Sequence, residues 1–153
     1  MIKLTRLTDY SVVVMTHLAF SPERVHAATD VAEEIRLPLP TVSKILGSMA
    51  RAGLLKSHRG LNGGFSLARP LSEISVGEII SAVEGPIAIT DCLDDGPSDC
   101  SLEALCPTRG YWQKINDAIK KALDSVSLED LVQRPQFPVF PEMTRRLGDP
   151  AGE

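Results

Sequence analysis

Residues 37–70 read LPLPTVSKILGSMARAGLLKSHRGLNGGFSLARP, and this stretch decides the fold. Pro38 and Pro40 interrupt the chain, and Pro40 suits the first turn of a new helix. The helix then runs to Gly53, a residue type that ends helices. Val42, Ile45, Leu46 and Met49 recur at helical spacing and form one apolar stripe, which leaves Thr41, Ser43, Lys44, Ser48 and Arg51 facing away. Beyond Gly53, LLKSH and GFSLA are short alternating runs separated by RGLNGG. That pattern predicts a β-hairpin with a glycine-rich tip and with Lys56, His58 and Arg59 at its start. Upstream, TDVAEEIRL predicts a short helix with Thr29 as its cap and Asp30, Glu33 and Glu34 near its positive end. Two helices joined by a tight turn, followed by a hairpin, make a winged helix-turn-helix.

The flanking segments extend this plan. Leu7, Tyr10, Val14 and Leu18 predict a helix over Thr5–Phe20, capped by Thr5 or Thr8. Ser75 and Glu78 stand at capping-box spacing before a helix that stops at Gly85. A strongly amphipathic run follows from Gly110. Trp112, Ile115, Ile119, Ala122, Leu123 and Val126 line one face, and Lys114, Asp117, Lys120, Lys121 and Asp124 cover the other. Such a face must bury itself, on its own domain or against a second copy. Ser127–Val132 fits one more short helix. Four prolines in the last twenty residues predict a disordered tail. The expected fold is mainly α with a small β-hairpin wing, plus a long C-terminal helix. The expected units are a winged helix over 1–85, a cysteine-containing loop over 86–109, a helical region over 110–133 and the tail over 134–153.

The chain has 153 residues, 43% of them hydrophobic but only 5% aromatic, so its core must be mainly aliphatic. Its net charge of −4 is unevenly spread. Residues 1–70 carry nine Lys/Arg and five Asp/Glu, whereas residues 71–153 carry seven and fifteen. A basic half beside an acidic half suits a nucleic-acid module joined to something else, so the exposed face of the second helix is read as DNA-binding rather than as a protein-contact surface. The apolar run Tyr10–Phe20 holds Thr16 and His17 and is too short to cross a bilayer, and no secretory leader is visible; a cytoplasmic location is expected. No Ser/His/Asp set, paired catalytic carboxylates, phosphate loop or C-x-x-C pair is present, so neither an enzyme nor a small-molecule substrate is expected.

All three cysteines, Cys92, Cys100 and Cys106, lie in ITDCLDDGPSDCSLEALCPTRGYW, spaced C-x7-C-x5-C. Clustered cysteines in a reducing compartment favour metal or redox roles over a structural disulfide, and an odd count leaves one unpaired. Thiolates suit iron–sulfur clusters, zinc or copper(I). The spacing alone leaves three readings open: a cluster or metal site, a thiol redox sensor, and incidental cysteines.

KLTRLTDYSVVVMTHLA, the stretch 37–70, and ISVGEIISAVEGPIAITDCL with its later cysteines before Trp112 closely resemble the Rrf2 family of winged-helix regulators. The resemblance covers about residues 1–132 and looks nearest to the iron–sulfur members of the IscR and NsrR kind, above all regulators of the SUF cluster-assembly operon. It implies a redox-sensing repressor that binds a double-stranded DNA operator as a homodimer, with the helix Trp112–Val126, in the region 110–133, as the dimerisation helix. It also implies a 2Fe–2S or 4Fe–4S cluster on Cys92, Cys100 and Cys106. In the IscR kind a His follows the third cysteine by three residues; here that position is Arg109, which cannot ligate a metal. The NsrR kind uses a first-helix carboxylate from the other protomer, and Asp9 matches that position; an ordinary helix-start carboxylate is the other reading of Asp9. Asp91, Asp94, Asp95, Asp99 or a small molecule are the other candidates for the fourth ligand. The alternative within the same fold is a cluster-free regulator switched by thiol oxidation. The expected DNA contacts are Thr41, Ser43, Lys44, Ser48, Arg51, Lys56, His58 and Arg59.

Overall fold

The computed structural model describes residues 3–93, 100–101 and 105–133. The expected disordered tail, 134–153, lies outside the described residues, as do Asp94, Asp95 and Asp99.

Helix α1 (Arg6–Ala19) starts at Thr5, whose hydroxyl accepts the Thr8 amide at 3.2 Å. Its inner face buries Val14, Met15 and Leu18. Helix α2 (Ala28–Ile35) corrects the expected cap. Ala27 occupies the cap position with no side-chain bond, and Thr29 sits inside the first turn, its hydroxyl donating to Asp30 at 3.3 Å. The cause lies one residue earlier. His26 exchanges two backbone bonds of 2.8 Å with Phe65, so the chain leaves an extended pairing and turns at once into the helix. A local cap was not needed to fix that start.

Helix α3 (Leu39–Arg51) carries Pro40 in its first turn and gives way to Gly53, whose positive φ of 76° reverses the chain. Val42, Ile45, Leu46 and Met49 are buried, as their spacing predicts. Each such side chain contributes roughly 1.5–3 kcal/mol by leaving water. Strands β1 (Leu55–His58) and β2 (Gly64–Leu67) pair antiparallel, with Leu55 opposite Leu67 and His58 opposite Gly64. Gly64 is required by a close approach: a Cβ there would lie 2.3 Å from the His26 carbonyl oxygen. The hairpin is thus clamped at its base by the segment that opens α2.

That clamp has a pH dependence. His26 is buried, and burial lowers its pKa below 6.5 despite the Ser21 carbonyl on Nε2 at 3.1 Å. Arg24 and His17 act in the same direction, and Glu34 opposes them. His17 lies edge-on to the His26 ring, centroids 6.3 Å apart, and pairs with Glu34 at 2.8 Å. Because the unfolded chain takes up the proton first, stability is full above pH 6.5 and falls as pH drops from there through the folded-state value. Thermal melts across this range are expected to show that loss, and a His26→Gln chain is expected to lack this part of the slope.

Helix α4 (Val76–Glu84) begins with the predicted capping box between Ser75 and Glu78 and ends at Gly85. Glu78 also pairs with Arg69 at 2.7 Å, tying α4 to the exit of β2. Helix α5 (Arg109–Asp124) follows the cysteine segment, and α6 (Leu128–Gln133) closes the described chain, with Ser127 and Asp130 bonded at its start. The link between α5 and α6 is stitched to the entry of α4: Val76 N–H donates to Val126 O at 2.9 Å, and Leu128 N–H to Ile74 O at 2.7 Å. One aliphatic core joins α1, α2, α3, β1, α4 and α6. Among the described residues, no helix is long and apolar enough to cross a membrane.

Candidate functional site

The predicted DNA-facing residues fall on adjoining elements, because α3 packs against β1. Ser43, Lys44 and Arg51 are exposed on α3, and Thr41 and Ser48 are half-buried. Arg51 donates to the Ser48 hydroxyl at 2.9 Å, which orients its guanidinium along the helix surface. Lys56, His58 and Arg59 are exposed on β1 and just beyond it, with His58 bonded to the Ser66 hydroxyl at 2.8 Å. The hairpin is held to α3 by backbone bonds from Leu54 to Met49 O (2.9 Å) and from Ala68 to Leu54 O (3.0 Å). Among the described residues, Lys44, Arg51, Lys56 and Arg59 make no ion pair, whereas Arg24 pairs with Asp30 and Arg69 with Glu78. Cations left without carboxylates on a helix and an adjacent hairpin suit phosphate and base edges.

The cysteines occupy the segment between α4 and α5. Cys92 lies half-buried in a 3-10 turn, Asp91–Leu93, with its thiol 3.4 Å from the Thr90 hydroxyl. Its carbonyl accepts from Arg109 at 3.5 Å. Thus Arg109, which cannot ligate a metal, ties the start of α5 to the backbone of Cys92. Cys106 lies two residues before Thr108, the cap position of α5, and its thiol contacts the Thr108 hydroxyl at 3.3 Å. That hydroxyl, helped by the Thr108 and Arg109 amides and the Arg109 charge, holds the Cys106 thiol below its usual range. Cys100 is exposed.

Asp9 is exposed on α1 beside a carboxylate clamp, in which the Thr5 and Thr8 hydroxyls both donate to Glu84 at the end of α4. Among the described residues, no three His, Cys, Asp or Glu side chains are drawn together into a metal-holding group. The donor chemistry nevertheless fits an iron–sulfur centre: the three cysteines are free of disulfides, and the Cys106 thiol lies below its usual range.

One residue of this region was not read from the sequence. Asn116 is the single buried residue of α5, 6% exposed, and bonds the backbone of Ile87 and Ile89 ahead of Cys92. Its signal was present: it stands four residues after Trp112 and three before Ile119, an amide at an apolar-stripe position. The stripe itself divides. Ile119 and Leu123 are half-buried, while Tyr111, Trp112, Ile115 and Val126 remain exposed in the single chain.

Comparison with known proteins adds a second line of evidence. The Rrf2 family pattern, described as that of an iron-dependent transcriptional regulator, matches residues 4–134. The HTH-type transcriptional repressor NsrR of Streptomyces coelicolor is 30% identical over 146 residues, 94% of this chain and 97% of its own. The structure of T. potens IscR aligns with a TM-score of 0.65 at 28% identity, covering 94% of this chain and 96% of that one. CymR, the global cysteine regulator of B. subtilis, aligns with a TM-score of 0.66 at 30% identity, covering 87% and 98%.

Proposed function

The chain belongs to the Rrf2 family of winged-helix transcriptional regulators, and from that membership we propose that it is an iron–sulfur-sensing repressor of cluster-assembly (SUF) genes, acting as a homodimer. The observation that carries the proposal is the place of the thiols: they lie on the segment joining the DNA-reading half to α5, and Cys92 is bonded to α5 through Arg109. Cys92, Cys100 and Cys106 would hold the cluster, with Asp9 of the partner subunit as the fourth ligand. When bound, the cluster supplies a redox- and oxygen-sensitive centre. The protein's own part is mechanical. Cys92 hangs from the 3-10 turn packed on α5, and Cys106 leads directly into α5. Drawing the thiols toward one centre selects one arrangement of this segment, and its effect on DNA binding is set by the difference in affinity between the two arrangements.

On the DNA side, Thr41, Ser43 and Lys44 lie in the N-terminal half of α3 and would meet base edges in a major groove. Arg51, Lys56 and Arg59 would meet phosphate, with Arg59 at the wing. Ser48 and His58 orient or flank these cations through their own hydrogen bonds.

The test is an absorption spectrum of anaerobically purified protein, with iron and acid-labile sulfide assayed on the same sample. Visible charge-transfer bands with matching iron and sulfide are expected, and Cys92→Ala is expected to remove nearly all of both. Asp9→Ala is expected to change the spectrum or shorten the cluster's lifetime, and an unchanged loaded protein would remove Asp9 from the ligand set. The low-lying Cys106 thiol favours one second reading, a cluster-free thiol switch. A colourless protein after reconstitution, whose operator affinity still responds to peroxide, would establish that reading instead.

A further inference from the structure

Asn116 makes two bonds with one amide. Its Nδ2 donates to the Ile87 carbonyl at 2.9 Å, and its Oδ1 accepts the Ile89 amide at 3.1 Å. The side chain therefore pairs with alternate residues of the segment leading to Cys92, as a neighbouring strand would. Three residues later comes Cys92, whose carbonyl takes the Arg109 guanidinium from the first turn of α5. The 3-10 turn between these anchors, closed by Leu93 N–H on Thr90 O at 3.0 Å, packs on α5 as well. Cys92 is thus suspended between two attachments to one helix.

Apolar packing would allow this segment to slide along α5 with little penalty. A buried amide does not, because a shift of one residue strands both its donor and its acceptor out of water. The segment 87–89 has one favourable register on α5, and a pull at Cys92 must either preserve that register or move the helix. We infer that Asn116 is the positioning residue that couples the state of Cys92 to α5, and through α5 to operator affinity. This rests on reading Cys92 as a cluster ligand and α5 as the helix that meets the second copy. Asn116 touches no ligand itself; it acts through the backbone that carries Cys92.

The experiment compares the wild-type chain with Asn116→Leu, which keeps the volume and removes both bonds. A first measurement uses cluster-free protein with Cys100 and Cys106 replaced by Ser, and follows Cys92 alkylation by N-ethylmaleimide by mass spectrometry. A second measures the ratio of operator affinities of cluster-loaded and cluster-free protein with all cysteines present. In Asn116→Leu, Cys92 is expected to alkylate about five- to tenfold faster, the size of effect that losing one or two net hydrogen bonds gives. The loaded-to-free ratio is expected to move toward one by a similar factor. Cluster-free operator affinity is expected to stay within about twofold of wild type, a result a merely structural role would not give. Should Asn116→Leu fail to fold, Asn116→Asp, which keeps the acceptor for Ile89, is measured in the same way, with a smaller shift of the same sign expected. Unchanged alkylation and an unchanged ratio in a folded variant would overturn the inference. Failure of the cluster reading looks different: the wild-type chain itself would take up no iron or sulfide, or its ratio would already be one.

Discussion

An Ile115→Glu chain is expected to sediment as a monomer of 16.6 kDa and to bind its operator about a hundredfold or more weakly than the wild type. The reason is the face that α5 leaves open. Tyr111 is 67% exposed, Trp112 40% and Ile115 44%, on a helix whose other side carries Lys114, Lys120 and Lys121. Large apolar side chains in neighbouring turns, rimmed by charge, suit an interface, and the proposed homodimer would use this one. In a two-fold dimer formed through this face each substitution would act twice, placing a carboxylate on both copies' contact surfaces. Burying each Ile would contribute roughly 1.5–3 kcal/mol, and an unpaired buried carboxylate reverses that contribution. A winged-helix dimer spans two half-sites about one helical turn apart, and a monomer can hold only one of them. Because Ile115 is already exposed in the single chain, its replacement is expected to leave the monomer's own stability within about 0.5 kcal/mol, checked by chemical denaturation. Analytical ultracentrifugation and operator titration decide the matter: a dimer of wild-type affinity would place the interface elsewhere.

The legible part of this molecule is where local chemistry and tertiary packing agree. In residues 37–70 the spacing of Val42, Ile45, Leu46 and Met49, the proline of the first turn and the hairpin glycines all point to one arrangement, and the buried residues follow it. Ser75 and Glu78 are legible for the same reason, since a capping box is complete within four residues. Thr29 misled because a long-range pairing, His26 with Phe65, sets the start of α2 and overrides a local cap. The geometry of the thiol region was not legible in the sequence. The cysteine spacing leaves a cluster or metal site, a thiol sensor and incidental cysteines open, and no periodicity predicts that Arg109 reaches the Cys92 carbonyl or that Asn116 grips Ile87 and Ile89. These contacts join residues seventeen to twenty-nine positions apart across an irregular segment, where side-chain spacing carries no register.

A Lys44→Ala chain is expected to lose at least tenfold in affinity for the operator while its binding to unrelated DNA changes little. Lys44 is exposed in the N-terminal half of α3 and makes no ion pair among the described residues. From that place on the proposed recognition helix a lysine would reach base edges, where a good contact is worth roughly 1–3 kcal/mol of discrimination, counted once in each half-site. Arg59 follows β1 and precedes Gly60 at the wing tip, a place suited to the backbone rather than to base edges. Arg59→Ala is therefore expected to weaken binding to every sequence alike. It should also flatten the slope of log affinity against log salt by about two for the dimer, since each lost phosphate contact removes about 0.9. The two variants thus separate along different axes, sequence for Lys44 and salt for Arg59. If Lys44→Ala instead lowers binding to all DNA and flattens the salt slope, Lys44 is a phosphate contact and α3 sits shallower in the groove. Base readout would then fall to Thr41 and Ser43, short side chains that meet bases only if the N-terminal turn of α3 enters first.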